Sequence, residues 1–212
     1  ETVRAFYERY YRPENMTMIV VGDLQGYNPE ALIREYFENF AAPESAIAPE
    51  PSWGTPTMED LVFAIYDAEI PQVQISIGHL REHVEVDDTV AQRQQDLARG
   101  VAHSMLSLRF SELAKKPETH FLNAGVSDAG QLDVFEGGSL DVTADPADWQ
   151  PALTEAYVEL RKALNFGFQQ AELDEVKANI MRALDEAVER EATAHSAGLR
   201  EAILLEVESG VV

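Results

Sequence analysis

Apolar residues recur along the chain with two periods, near 3.6 and near 2, and the changes between them set an element order. Residues 3–11 carry Phe6, Tyr7, Tyr10 and Tyr11 and stop at Pro13, which predicts the end of an aromatic-rich helix. Met16 to Val21 is almost continuously apolar and ends at Gly22-Asp23, the pattern of a strand buried on both faces. Asn28-Pro29 reads as a helix start, with Asn28 as N-cap and Pro29 as first helical residue, and Ile33, Tyr36, Phe37 and Phe40 follow at helical spacing. From Ala41 to Thr57 periodicity is lost. Pro43, Pro49, Pro51 and Pro56 fix φ and remove donors there, which predicts an extended interdomain linker over 41–57.

The pattern restarts after the linker. Leu61 to Tyr66 is a strand candidate, and Val73, Ile75 and Ile77 alternate with polar residues as in a half-buried strand. Asp87-Asp88 is placed to cap a long helix carrying Val90, Leu97, Val101, Met105 and Leu108, which Pro117 ends. Phe121–Val126 and Leu132–Val142 read as two more strands, the second with a bulge at Gly137-Gly138. Asp145-Pro146 predicts the cap of a helix with the stripe Trp149, Leu153, Ala156, Tyr157, Leu160 and Leu164. A turn over Asn165–Gln170 leads to a helix with Leu173, Val176, Ile180, Leu184 and Val188, and after a break at Ala192–Gly198 a last helix begins at Leu199. Two strands and a helix, repeated, give an α+β fold in which helices pack on one face of a mixed or antiparallel sheet.

Charge narrows the function classes. The 212 residues hold 38 acidic and 16 basic side chains, a net charge of −22, so binding to phosphate backbones or anionic membrane surfaces is disfavoured. No run approaches the roughly 18 apolar residues of a membrane span. No cysteine is present, which removes disulfides, thiolate metal sites and cysteine nucleophiles. Glu1-Thr2-Val3-Arg4 carries no targeting signal and reads as an internal stretch of a longer chain.

One motif carries candidate chemistry. His79-Leu80-Arg81-Glu82-His83 has the form H-x-x-E-H, in which two imidazoles one helical turn apart hold zinc and the glutamate acts as general base. A third protein ligand is required, and Glu155 or Glu159 downstream is a nominee. The local context favours another reading. The motif follows directly on the Val73–Ile77 strand, and four extended residues would separate the histidines by about 13 Å. The segment Val84–Asp88 leaves no room for a helix. A strand end running into a polar loop is therefore expected, with no catalytic or metal-ligating residue in this chain and substrate-binding residues unassigned. His103 reads as a boundary residue of the long helix, while His120 starts a strand and His195 lies in a helix break.

Phe6-Tyr7-Glu8-Arg9-Tyr10-Tyr11-Arg12-Pro13-Glu14-Asn15-Met16, followed by an apolar strand and Gly22-Asp23, resembles the signature that closes the first, zinc-bearing domain of pitrilysin/insulinase-type zinc metallopeptidases. Ser107 to Ala114, Asp145 to Gln150 and Gly167-Phe168 through Glu172-Leu173 resemble that family's second domain, in its bacterial, envelope-associated branch. The resemblance implies a mitochondrial processing peptidase-like metallohydrolase fold. It assigns 1–40 to the end of the catalytic domain and 58–212 to a second, non-catalytic domain. It further implies zinc in the parent enzyme but none here, a peptide substrate, the remaining domains of the same chain as partners, and a periplasmic or cell-envelope location. The family's own H-x-x-E-H precedes the Phe-Tyr signature, whereas His79–His83 follows it.

Three functions compete: the inactive structural or substrate-chamber domain of a zinc metalloendopeptidase, an independent zinc hydrolase using His79, Glu82 and His83, and a module of a catalytically dead homologue. Limited proteolysis is expected to cut first between Ala41 and Thr57. A linker that resists while the Trp149 helix is cut early contradicts the domain division.

Overall fold

A computed structural model of the chain describes residues 2–41, 54, 59–65, 67, 69–131 and 134–208, apart from the side chains of Ala129, Gln131 and Glu208. The expected linker lies outside the described residues save Ala41 and Gly54, and so do Tyr66 and Leu132. The chain divides into two compact units, one of Glu1–Ser52 with Glu186–Val212 and one of Trp53–Asp185.

In the first unit, helix α1 spans Thr2–Tyr10 and α2 spans Pro29–Phe37. Asn28 caps α2 as expected, its side chain accepting from the Ala31 N–H at 3.1 Å. The rings of Tyr7 and Tyr11 stack with centroids 4.7 Å apart, one helical turn from each other. Arg12 is buried, with Nη2 2.8 Å from the Glu14 carboxylate. Helix α6, Ser196–Glu208, begins inside the expected break, ahead of the expected start at Leu199. Met16–Val21 differs from expectation: it forms no strand, and Met16, Met18 and Val20 are exposed. An apolar run becomes a strand only where a neighbour takes up its backbone groups, and no described residue pairs with it.

The second unit holds a three-stranded antiparallel sheet of order β1-β3-β2, with β1 at Val73–Glu82, β2 at Phe121–Gln131 and β3 at Phe135–Ala144. Between β1 and β2 runs α3, Val90–Ala114, and after β3 come α4, Trp149–Phe166, and α5, Gln170–Glu189, which continues past the end of this unit. The α+β expectation holds, and the sheet is wholly antiparallel. Leu61–Ile65 is not a strand, and Leu61, Val62, Phe63 and Ile65 are exposed.

Register determines which side chains meet. Ile75, Val142 and Ala124 form one row across the sheet, and Ile77, Leu140 and Val126 form the next. This face receives the helices. Phe110 of α3 is 1% exposed and meets Phe121 of β2 edge-on, with ring centroids 5.9 Å apart. Helix α4 contributes Ala152, Ala156 and Ala163 to the same core. Of the expected α4 stripe, Leu153, Ala156 and Leu160 pack on this core. Small alanines let the helix axis approach the sheet, while Trp149, Tyr157 and Leu164 flank the contact and stay exposed. Helix α3 likewise buries Met105, Leu106 and Phe110, whereas Val90 and Leu97 of the expected stripe remain exposed.

Caps and bulge also differ in detail. Thr89, not Asp87-Asp88, caps α3 by accepting from the Gln92 N–H at 3.1 Å, and Asp88 instead holds Arg93 at 2.7 Å. Asp148 precedes α4, while Asp145 accepts in the turn before it. The bulge lies between Phe121 and Asn123 of β2, not at Gly137-Gly138, where register is unbroken. Gly137 has another cause: a Cβ there would collide with the His79 carbonyl oxygen on β1. Gly125 faces open space.

Truncating Phe110→Ala should cost about 3–5 kcal/mol in urea unfolding. Gly137→Ala should cost about 1–3 kcal/mol, with Gly125→Ala near neutral. Equal costs for the two glycine substitutions would contradict the register.

Candidate functional site

The H-x-x-E-H residues lie on β1, an edge strand. His79 stands opposite Gly138 and Glu82 opposite Phe135. Side chains alternate along a strand, so His79 shares the helix-side face with Ile77 and Arg81, while Glu82 takes the other face. His83 follows the strand end. Its N–H donates to the Val134 carbonyl at 3.2 Å, and its Nδ1 lies 3.3 Å from Glu136, which also receives Arg81 at 2.6 Å. Both nominees for a third ligand are engaged elsewhere. Glu155 accepts from the His120 N–H at 3.0 Å and lies 2.6 Å from His120 Nδ1, and Glu159 holds Lys162 at 3.0 Å and Arg109 at 3.4 Å. A zinc ion needs its nitrogen ligands at about 2.0–2.1 Å around one point. An extended segment spreads these imidazoles and sends the glutamate to the opposite face, so His79, Glu82 and His83 do not fit the ion. Among the described residues, no three His, Cys, Asp or Glu side chains are grouped to hold a metal.

Two concavities flank the helices. One, of about 430 Å³, is lined by Ile77, His79, His103, Tyr157, Leu160 and Leu164 among others. The other, of about 480 Å³, lies between α3 and α5 and includes Ser104, Ser107, Leu108 and Val176. The first is mainly apolar, with two imidazoles and residues Ser127 and Ser139 also in its lining. His103, half-buried as expected, borders both.

The strongest polar cluster surrounds Arg109 of α3. Its guanidinium forks onto the Glu172 carboxylate through Nε and through Nη2 at 2.8 Å, and Nη2 donates to the Gly167 carbonyl at 3.1 Å. The guanidinium carbon lies 4.7 Å from the centre of the Phe168 ring. Glu172 accepts from the Gln169 N–H as well, at 2.6 Å. Gly167 has φ 73°, a value a side chain resists, so this turn between α4 and α5 suits glycine. Hydrogen bonding to Arg109 holds the Glu172 carboxyl below its usual range, and the same bonds raise the guanidinium. The cluster fastens α3 to the α4–α5 turn and contains no nucleophile. It joins two stretches, 107–114 and 167–173, that the sequence marks separately. A separation of 63 residues gave no local signal of their contact.

The second cluster that sequence reasoning missed is on the sheet face turned away from the helices. Ser127 and Ser139 hydroxyls lie 2.9 Å apart, and Ser139 donates to the Asp141 carboxylate at 2.7 Å. Strand alternation in β2 and β3 would have suggested a common face, but only the register brings Ser127 and Ser139 opposite each other.

The Arg109–Glu172 pair gives a pH signature. A carboxyl with a folded pKa below its unfolded value contributes stability above the unfolded pKa, near 4.3, and loses it as pH falls through the folded pKa. Glu172→Gln should therefore cost about 1–3 kcal/mol at pH 7 and progressively less on acidification below about pH 4.5. Chemical unfolding across pH 3–7 checks this, and a pH-independent difference contradicts it.

Comparison with known proteins places these features. The chain is 28% identical over 196 residues to the probable zinc protease PqqL of Escherichia coli, covering 90% of this chain and 20% of that protein. It is 25% identical over 183 residues to the zinc protease PqqE of Helicobacter pylori, covering 84% of this chain and 39% of the relative. The crystal structure of the periplasmic protease PqqL from Escherichia coli matches with a TM-score of 0.81 at 25% identity, over 99% of this chain and 23% of that one. The chain thus spans well under half of each of these relatives. The Peptidase M16 inactive domain matches over residues 1–180, most of the sequence, and the chain belongs to that family.

Proposed function

We propose that the chain is part of a zinc-dependent metalloendopeptidase that degrades peptides or small proteins, and that it supplies the inactive domain walling the substrate chamber. The observation that carries this reading is the one-sided sheet. One face is filled by α3 and α4, and the other presents Ser76, Asn123, Ser127 and Asp141 exposed. A layer with one finished and one open polar face is suited to line an enclosure. Residues 1–40 are the end of the preceding catalytic domain, and the zinc ligands belong to that domain. The parent acts in the periplasm or cell envelope. Support comes from the zinc-protease and periplasmic descriptions of the relatives. No described helix is long and apolar enough to cross a membrane.

Two measurements test this. The isolated chain should hydrolyse no peptide and show no tight stoichiometric zinc event in calorimetry; an event abolished by His79→Ala and His83→Ala would establish the independent hydrolase instead. In the parent protein, a photo-crosslinking residue at Ser76 should capture trapped peptide substrate, while one at Glu175 on α5 should not. A parent that binds no zinc and cleaves no peptide would indicate a dead homologue.

A further inference from the structure

The open face of the sheet has a one-sided charge. Its positions are the even-numbered residues of β1, the odd-numbered residues of β3 and, beyond the bulge, the odd-numbered residues of β2. None of them is Lys, Arg or His. The basic residues of β1, His79 and Arg81, lie on the helix side, across from Gly138 and Glu136. The carboxylates of the open face are Asp141 and Glu82, and both are exposed.

Asp141 is set on a floor of small side chains. Around Asp141 the face consists of the small residues Ser76, Gly78, Gly125, Ser127 and Ser139, and toward Glu82 it carries Leu80 and Phe135. Asp141 is oriented by the floor itself: its Oδ2 takes Ser139 at 2.7 Å and Ser127 at 3.4 Å. Oδ1 accepts from no described residue. Asp141 stands opposite Ser76, six residues along β1 from Glu82. At about 3.3 Å per residue the two carboxylates are about 20 Å apart along the strand direction. An extended polypeptide running along the strands returns a side chain to the same face at every second residue, so its residues i and i+6 span the same distance.

Resting on the chamber-wall reading, we infer that this face receives a cationic stretch of polypeptide substrate, extended along the strands, with Lys or Arg at i and i+6 meeting Asp141 and Glu82. Charge complementarity selects this occupant. An acidic segment would meet two carboxylates with no compensating cation on this face, and a strongly apolar one would meet the hydroxyls of Ser76, Ser127 and Ser139 around Asp141.

The test uses the 212-residue chain and labelled ten-residue peptides in fluorescence anisotropy at low and physiological salt. One peptide carries Lys at i and i+6, a second has the same composition with the lysines adjacent, and a third replaces them with Glu. The i, i+6 peptide should bind about fivefold or more tightly than the second, with binding weakened by salt, and the third should not bind. Glu82→Gln, and separately Asp141→Asn, should each remove about two- to fivefold of that affinity. Glu175→Gln with Asp185→Asn on α5 should leave it unchanged. Equal binding of the two lysine peptides, or equal losses from the α5 control, would overturn the inference by assigning the effect to the −22 net charge. Substrate capture from Ser76 in the parent without this spacing preference sinks only this inference. Spacing-selective binding by the chain without capture in the parent sinks the chamber-wall reading.

Discussion

Packing on a single face of the sheet is the constraint from which the second unit is built. Phe110 and Phe121 meet edge-on at the start of β2 and join α3 to that strand, and the alanines of α4 close over β3 beside them. Burial of Leu140, Val142 and Ala144 on β3 follows, because the central strand offers its even-numbered side chains to both helices. The odd-numbered side chains of the same strand are left facing outward, and they are Gly, Ser, Asp and Thr from 137 to 143. The division between covered and open faces is written into β3 one residue at a time.

The helical layer needs a second fastening because a sheet of three strands offers a short contact. Arg109 supplies it. A planar fork on Glu172, a carbonyl at Gly167 and the face of Phe168 fix the α4–α5 turn to the C-terminal part of α3. A lysine would keep the charge and lose the geometry. The cluster occupies Glu159 as well, so a residue that spacing alone nominates for metal chemistry serves helix packing.

Much of the architecture was legible in the sequence. Helix periodicity located α1, α2 and α3 through α6, and Pro117 and the Asn28-Pro29 cap marked boundaries. Strand alternation located β1 at Val73–Ile77 but not its extension to Glu82, since Gly78 and the polar residues after it interrupt the pattern. Apolar runs misled at Met16–Val21 and Leu61–Ile65, which have strand composition and no described neighbour to pair with. The α4 stripe was right in part: Leu153, Ala156 and Leu160 do pack on the core, but Ala152 and Ala163 join them while Trp149, Tyr157 and Leu164 stay exposed, because large side chains dominate a periodicity reading. The strand context of His79–His83 was readable from Gly78 and the alternation before it. The Ser127–Ser139–Asp141 cluster was not, because cross-strand register lies outside any single stretch of sequence.

The account turns on His79–His83 being the end of a paired strand. Backbone chemical shifts of residues 73–83, measured by NMR with and without one equivalent of zinc, test it most directly. Extended-strand Cα and Cβ shifts from Val73 to Glu82, unchanged by the metal, are predicted. Helical shifts over His79–His83, or a zinc-dependent change confined to the two histidines and Glu82, would contradict the account.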